Sequence, residues 1–370
     1  MPVSAGRLFN RSDLVIIIGS AVGMVVAGVT AYVDVPAVLA FVCSAVATAL
    51  LAALVGRCVD RIGDRLGAGA TGVLQSALGN LPELFISFFA LRKGLLVVVQ
   101  SALIGSILAN LLLVLGIAFV AGGLRHGTLK FEASRIRSTC ILLALATAAL
   151  VLPSLASLSG SPAAHHTKAL SVALAIVLLV IFGLQMPASL RRKASDQGEA
   201  ALTEDGETSV TEEATGEGHW PLWLAIGMLA LAGVGAGLVS DWFVDALNPA
   251  MSALHISQAF AGLVIVAIAG NAIENVVGIQ LALKNKAEYA LSIIINSPLQ
   301  IALVLAPLLV LLSLATATTL TLVFAPLLVA AVVVSVAITS LIVMDGESNW
   351  LEGVILIGLY AMVATLFWWG

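Results

Sequence analysis

Long apolar runs separated by short polar breaks fill almost the whole chain. The runs are continuously apolar and lack the alternation of barrel strands, so they predict membrane-spanning helices rather than a closed β-barrel. A spanning helix needs about 20 apolar residues. The predicted spans are residues 14–32, 35–56, 66–92, 95–122, 134–153, 167–188, 220–244, 255–283, 286–313, 318–344 and 349–369. The pattern therefore predicts an all-α polytopic membrane protein with 11 transmembrane helices.

The composition excludes a water-soluble protein. Of the 370 residues, 60% are hydrophobic and 10% are charged, whereas a soluble domain carries about 25% charged residues. The net charge of −4 and the lack of a basic stripe outside the helix ends argue against a nucleic-acid partner. The three cysteines, Cys43, Cys58 and Cys140, are far apart in sequence and are predicted to be small packing residues. The partner that the composition does predict is the lipid bilayer.

The positions of Lys and Arg predict the orientation, because cytoplasmic loops collect these residues. With the N-terminus in the cytoplasm, eleven spans leave only Arg92, Lys93 and Lys168 of the 17 cations on the outer side. A missed or invented span would exchange the sides of all later loops, so this asymmetry supports the count of eleven. The sequence thus predicts an integral protein of a bacterial-type plasma membrane, with its N-terminus in the cytoplasm.

One acidic stretch interrupts the apolar pattern. Residues 194–219 carry eight Asp and Glu residues, no Lys or Arg and no apolar periodicity. They predict a solvated cytoplasmic linker, and a cation-attracting or regulatory segment is the alternative. The predicted domains are an extra N-terminal helix (1–34), a first five-helix repeat (35–190), the acidic linker (191–219) and a second five-helix repeat (220–370).

Two copies of a G-N-x-x-E motif are the strongest internal signal. They are Gly79-Asn80-Leu81-Pro82-Glu83 in the third predicted span and Gly270-Asn271-Ala272-Ile273-Glu274 in the eighth, 191 residues apart. The copies are separated by an odd number of spans, so their helices cross the membrane in opposite directions. This arrangement predicts an inverted 5+5 repeat with one extra N-terminal helix, a plan in which the binding site lies near the bilayer midplane.

The two glutamates predict a cation site in the middle of the membrane. A carboxylate at the helix centre costs roughly 2.5–3.5 kcal/mol, and no cation in the sequence lies at a comparable depth. Protons relieve this cost, and so does a shared divalent cation such as Ca²⁺, which accepts about six to eight oxygen ligands. The predicted binding residues are Glu83, Glu274, Asn80 and Asn271, with Gly79, Pro82, Gly270, Asn275, Ser106, Asn110, Asn296, Ser297 and Gln300 lining the site. For the polar residues of the following helices, interhelical hydrogen bonding is the alternative role.

At these residues the chain resembles the cation/proton exchanger family, the calcium/proton antiporters of the calcium/cation antiporter superfamily. Residues 75–123 and 262–312 look like the two repeat motifs of that family, and residues 345–353, DGESNWLEG, are similar to its last loop and helix. The resemblance implies ten exchanger helices after an extra first one. It also implies that Glu83 and Glu274 bind the cation and exchange it for protons.

Two departures from the family pattern concern ion choice and coupling. The chain has Glu274-Asn275 where the family usually has Glu-His, and Asn296-Ser297-Pro298 where it usually has Gly-Ser-Ser before the Gln. The predicted function is a secondary active antiporter that exports calcium, or a similar divalent cation, in exchange for protons by alternating access. A sodium-coupled cation exchanger and a cation channel are the alternatives.

Enzymatic activity is not predicted. An intramembrane hydrolase needs a nucleophile with a base, or metal ligands, at membrane depth. No His lies in any predicted span except His255, which is at the boundary of the eighth. No cofactor is expected, and the transported ions are Ca²⁺ and H⁺. The sequence leaves open a homo-oligomer. Smaller features favour solvated roles: His165 and His166 in an outer loop, and Asp241 and Asp245 at an outer helix end.

Overall fold

The structure is a computed structural model of a mostly helical chain. It describes residues 9–66, 78–203 and 220–369, apart from the side chains at 64–66, 135, 186–203, 273 and 274. The α-helices are α1 (Arg11–Tyr32), α2 (Ala37–Leu66), α3 (Leu81–Arg92), α4 (Leu96–Leu108), α5 (Leu115–His126), α6 (Ala133–Leu158), α7 (Thr167–Thr203), α8 (Leu222–Leu254), α9 (Gln258–Phe260), α10 (Ala267–Gly270), α11 (Ala272–Leu283), α12 (Ala287–Gln300), α13 (Ala306–Ser313), α14 (Pro326–Val343) and α15 (Trp350–Phe367). Three π-helical turns lie at Ala109–Val114, Ala261–Val266 and Ile301–Leu305, and a 3₁₀ helix lies at Pro162–His166.

One short ribbon joins the two halves of the chain. Strand β1 (Leu129–Lys130) pairs antiparallel with β2 (Glu347–Ser348). The Phe131 N–H continues the pairing by donating to the carbonyl of Gly346 at 2.9 Å. The ribbon therefore ties the loop after α5 to the loop before α15.

The helices account for most of the predicted spans. Within the described ranges, nine helices are long and apolar enough to cross a membrane. A tenth candidate consists of Gln258–Gly270 and Asn275–Leu283, which meet at a bend of 62°. Of the predicted third span, residues 66–92, the structure describes only the part from residue 78 on, most of it in α3. The count of eleven therefore stays a prediction.

Several helices run beyond the apolar segments that predicted them. Helix α2 ends at Leu66 rather than at 56, and α8 ends at Leu254 rather than at 244. Helix α7 continues to Thr203, so the first part of the predicted linker is helical. Residues 204–219 of that linker lie outside the described residues. A charged residue ends the apolar pattern but not the helix, because a helix satisfies its own backbone in water as well as in lipid.

The tenth predicted span begins too early. The prediction placed it at residues 318–344, whereas α14 begins at Pro326 and residues 314–325 are not helical. Residues 318–325, here named the strap, bury the side chains of Leu320, Leu322 and Phe324. Its apolar character reflects burial against the protein rather than a membrane crossing.

Side chains from four helices satisfy the backbone of the strap. The hydroxyls of Ser313, Ser171 and Ser154 accept from the N–H groups of Leu320, Leu322 and Phe324, each at 2.9 Å. The Gln100 amide donates to the carbonyls of Thr321 and Val323, at 3.1 and 2.8 Å. Irregular backbone at the level of membrane helices is tolerated where protein groups pair it, as they do here.

The two halves of the chain interlock where α4 crosses the π-helical turn Ala261–Val266. A Cβ on Gly105 would lie 2.2 Å from the carbonyl oxygen of Leu263, and one on Gly262 would lie 2.3 Å from that of Val98. Only glycine allows this approach of two backbones, which is the usual device of closely packed membrane helices. Gly105 directly precedes Ser106 in the chain, so the crossing positions the helix that carries a predicted site residue.

The helix pairs α3–α4 and α11–α12 share one backbone conformation at their ends. Asn80 before α3 has φ/ψ of −91°/18° and Asn271 before α11 has −100°/18°. Both helices contain 12 residues, and both are followed by a residue with positive φ, Gly94 at 76° and Asn285 at 59°. These equivalent positions are 191 residues apart, the spacing of the sequence motifs.

A buried charge cluster attaches α1 to the rest of the protein. Asp13 is fully buried and forms ion pairs with Arg57 at 3.4 Å and Arg61 at 3.3 Å. The Trp220 indole N–H also donates to Asp13, at 3.2 Å. The apolar outer face of α1 is otherwise exposed, so this cluster anchors the extra helix to α2 and to the beginning of the second half.

Candidate functional site

The broken helices bring Glu83 and Asn271 together in the interior. Glu83 is the third residue of α3, directly after the break at Gly79 and Asn80, and is only 4% exposed. Ser106 of α4 donates to Glu83 Oε1 at 2.6 Å, and the Asn271 amide donates to the same oxygen at 2.5 Å. The carboxylate of the first motif is thus bound by the asparagine of the second motif.

Asn271 is the centre of a small hydrogen-bond network. Its Nδ2 also lies 3.0 Å from Ser106 Oγ and 3.0 Å from the Ala267 carbonyl oxygen. Ser297 of α12 donates to its Oδ1 at 3.2 Å. The predicted residues Glu83, Ser106, Asn271 and Ser297 therefore form one connected group, and the repeat spacing of 191 residues relates Ser106 to Ser297.

Gly270 leaves the space that Glu83 occupies. A Cβ at residue 270 would lie 2.4 Å from Glu83 Cγ and 2.8 Å from its Oε1. The α-helix of Ala267–Gly270 ends at this residue, and the chain bends before α11 begins. The glycine of the second motif is therefore required by the carboxylate of the first.

Glu274 occupies in α11 the position that Glu83 occupies in α3, the third residue. Its side chain lies outside the described residues. Among those described, the buried atoms Asn80 Nδ2, Asn110 Oδ1 and Asn275 Oδ1 have no hydrogen-bond partner. No group of three or more His, Cys, Asp or Glu side chains is found there. An ion at this position would therefore take amide, hydroxyl and backbone oxygens in addition to carboxylates.

The other predicted lining residues have mixed positions. Asn110 lies in the π-helical turn after α4 and donates to the Ser106 carbonyl at 2.9 Å. Asn296 instead turns to its own helix, where its amide lies 3.3 Å from Ser292 Oγ. The remaining members flank the breaks or end α12: Gly79 is half-buried in the turn, Pro82 is buried in the first turn of α3, and Gln300 is half-buried.

Two polar features outside this network have structural partners. Lys93, after α3, forms ion pairs with Asp241 at 3.0 Å and Asp245 at 2.6 Å. The sequence placed all three on the outer side but gave no indication of the pairing, because Lys93 lies almost 150 residues before Asp241. Glu352 accepts from Ser348 Oγ and the Asn349 N–H, so it caps the beginning of α15.

Two minor sequence features remain, the paired histidines and a glycine-rich stretch. His165 and His166, directly before α7, line an open cavity of about 710 Å³ together with Lys168. The glycine-rich stretch at residues 67–72 lies outside the described residues.

Comparison with known proteins identifies the family of the chain. The family profile described as sodium/calcium exchanger protein matches residues 36–190 and 224–369. A Ca²⁺/H⁺ antiporter of Synechocystis sp. is 36% identical over 308 residues, which are 81% of this chain and 83% of that protein. The Ca²⁺/H⁺ antiporter ChaA of Bacillus subtilis is 35% identical over 301 residues, 80% of this chain and 82% of that protein.

Solved structures show the same architecture. The structure of native YfkE matches with a TM-score of 0.78 at 30% identity, covering 95% of this chain and 99% of that one. The H⁺/Ca²⁺ exchanger CAX matches with a TM-score of 0.71 at 14% identity, covering 96% and 91%, which shows the fold alone. The resemblance found in the sequence is confirmed: this integral membrane protein belongs to the sodium/calcium exchanger family.

Proposed function

We propose that the protein is a secondary active antiporter that moves Ca²⁺, or a similar divalent cation, out of the cytoplasm in exchange for protons. The observation that carries this proposal is the burial of Glu83 against Ser106, Asn271 and Gly270. The names of the relatives from Synechocystis sp. and Bacillus subtilis support the choice of Ca²⁺ and H⁺.

The chemistry of the site favours exchange over an open pore. In the arrangement described, Ser106 and Asn271 donate to Glu83 and stabilise its carboxylate. Rotation of the Ser106 hydroxyl and the Asn271 amide would present oxygen atoms to a cation instead. Glu83 and Glu274 together carry two negative charges, which one dication or two protons neutralise. The doubly charged empty site is costly to move across the membrane. Obligatory exchange follows from that difference.

The proposed architecture has eleven spans, with an inverted repeat of spans two to six and seven to eleven after the extra helix. The matched backbones of the α3–α4 and α11–α12 units support this relation. The proposed site has Glu83, Glu274, Asn80 and Asn271 as ion-binding residues. The other sequence candidates line it, except Asn296, whose amide bonds within its own helix. The 62° bend at Asn271 is the proposed hinge of alternating access.

The test is calcium uptake into proteoliposomes with an imposed pH gradient. Vesicles acidic inside are expected to accumulate Ca²⁺, and dissipation of the gradient is expected to stop uptake. Glu83→Gln and Glu274→Gln should each abolish exchange, because an amide neither binds the proton nor supplies a second charge. Glu347→Gln is the matched control, since Glu347 is exposed on β2. Full exchange by both site variants would overturn the site assignment.

Sodium coupling and channel activity are separate outcomes of the same assay. Uptake that requires a sodium gradient and ignores the pH gradient would identify a sodium-coupled exchanger. Calcium flux without any counter-ion would identify a channel. Parallel measurements with Mn²⁺ would define the choice of divalent cation.

A further inference from the structure

A second cavity lies between the ends of α5 and α11, away from the carboxylate site. It has a volume of about 580 Å³ and is lined by Arg125, His126, Gln280, Leu283 and Lys284. The His126 ring lies across the seam, with Nε2 2.8 Å from the Leu283 carbonyl oxygen. The cavity therefore straddles two helices, one from each half of the chain.

The cavity has positive charge without compensation. Arg125 and Lys284 are exposed, and in the described part of the chain neither forms an ion pair. Lys93, by contrast, forms ion pairs with Asp241 and Asp245. Two unpaired cations beside a cavity are complementary to an anionic group with several oxygen atoms.

The surroundings of the cavity are those of a membrane surface. Val276, one turn before Gln280 on α11, is 53% exposed, and Leu124, next to Arg125, is 69% exposed. Exposed apolar side chains on a spanning helix face acyl chains. The cavity thus places cations at the end of an apolar surface, where a lipid headgroup joins its chains.

We propose that this cavity binds the headgroup of an anionic phospholipid, with the phosphate between Arg125 and Lys284 and the acyl chains along the exposed face of α11. The proposal rests on the proposed function and on the orientation predicted from the positions of Lys and Arg, which makes this the cytoplasmic leaflet. Gln280 contributes a neutral amide for the ester oxygens, and His126 holds the two helix ends together beneath the headgroup. Because α11 also carries Glu274, lipid binding restrains the inner end of a helix of the exchange site.

The test measures lipid retention by the purified full-length protein, using native mass spectrometry with phosphatidylglycerol and phosphatidylcholine as probes. The wild type is expected to retain phosphatidylglycerol preferentially. The double variant Arg125→Gln/Lys284→Gln should bind it about 30-fold more weakly, since each surface cation contributes about 1 kcal/mol. The control Arg92→Gln/Lys168→Gln removes two cations from the opposite end and should leave retention unchanged.

Three results would overturn the lipid site. They are equal retention of both lipids by the wild type, unchanged retention in the double variant, and displacement of phosphatidylglycerol by millimolar inorganic phosphate. The charge-conserving variant Arg125→Lys/Lys284→Arg should keep the lipid and shows whether loss reflects charge or misfolding. This readout does not involve transport, so failed calcium exchange with retained lipid would count against the proposed function alone.

Discussion

At the scale of single residues, the requirement for glycine at position 270 is the sharpest feature of the site. The side chain of Glu83, which belongs to the other motif copy, fills the space that a Cβ on residue 270 would need. The sequence predicted Gly270 as a residue that lines the site but did not identify its neighbour. Its actual neighbour lies 187 residues earlier in the chain, and no local pattern identifies that contact.

We predict that Gly270→Ala weakens cation binding while the protein still folds. The new methyl group would lie 2.4 Å from Glu83 Cγ, so the carboxylate must leave Ser106 and Asn271. Loss of hydrogen bonds to a charged group costs about 1.5–3 kcal/mol, which corresponds to at least about tenfold weaker cation binding. The measurement is the concentration dependence of calcium uptake. Gly227→Ala, where a Cβ meets open space, should transport normally; equal activity of both variants would contradict the role of Gly270.

Adjacent residues on α12 allow a second comparison. Ser297 donates to Asn271, whereas Asn296 bonds within its own helix. We predict that Ser297→Ala raises the KM for calcium about two- to tenfold, the effect of one hydrogen bond. Asn296→Ala should leave the KM unchanged. The reverse order would show that the Asn271 network does not bind the ion.

At the scale of elements, the chain's helical character was predictable but the ends of its helices were not. Long apolar runs predicted the spans, because lipid requires every backbone group to be paired within the segment. Helix α8 runs past Asp241 and Asp245, and Lys93 from a distant loop forms ion pairs with both. The strap was predicted as helix because its partners, Gln100 among them, lie on remote helices.

The stability of the strap should depend strongly on the Gln100 amide. We predict that Gln100→Leu lowers the free energy of unfolding by about 1–3 kcal/mol, because the carbonyls of Thr321 and Val323 lose their donor. The expected result is a lower unfolding temperature in detergent. Gln258→Leu on an exposed face is the control and should leave that temperature unchanged. An unchanged transition for Gln100→Leu would mean that the serine hydroxyls alone hold the strap.

At the scale of the whole molecule, the two motif copies meet although the chain separates them by 191 residues. The glycine crossing of α4 with Ala261–Val266 and the Glu83–Asn271 contact both join the first half to the second. The sequence predicted this meeting from the repeat alone, since an inverted pair places both copies at one depth. It could not predict which atoms touch, because these depend on the bend at Asn271.

The predicted topology has a direct test in the sidedness of two exposed lysines. Lys168 begins α7 and Lys286 precedes α12, and the spans between them are the sixth, seventh and eighth. An odd number of crossings places the two residues on opposite sides of the membrane. We predict that, in a variant with Cys43, Cys58 and Cys140 replaced, Lys168→Cys reacts with an impermeant maleimide in intact cells and Lys286→Cys reacts only after lysis. Labelling of both cysteines from outside would remove one crossing and with it the inverted relation of Glu83 and Glu274. Labelling of Lys286→Cys alone in intact cells would keep the repeat but reverse the orientation. The cations that the positive-inside rule assigns to the cytoplasm would then face outward.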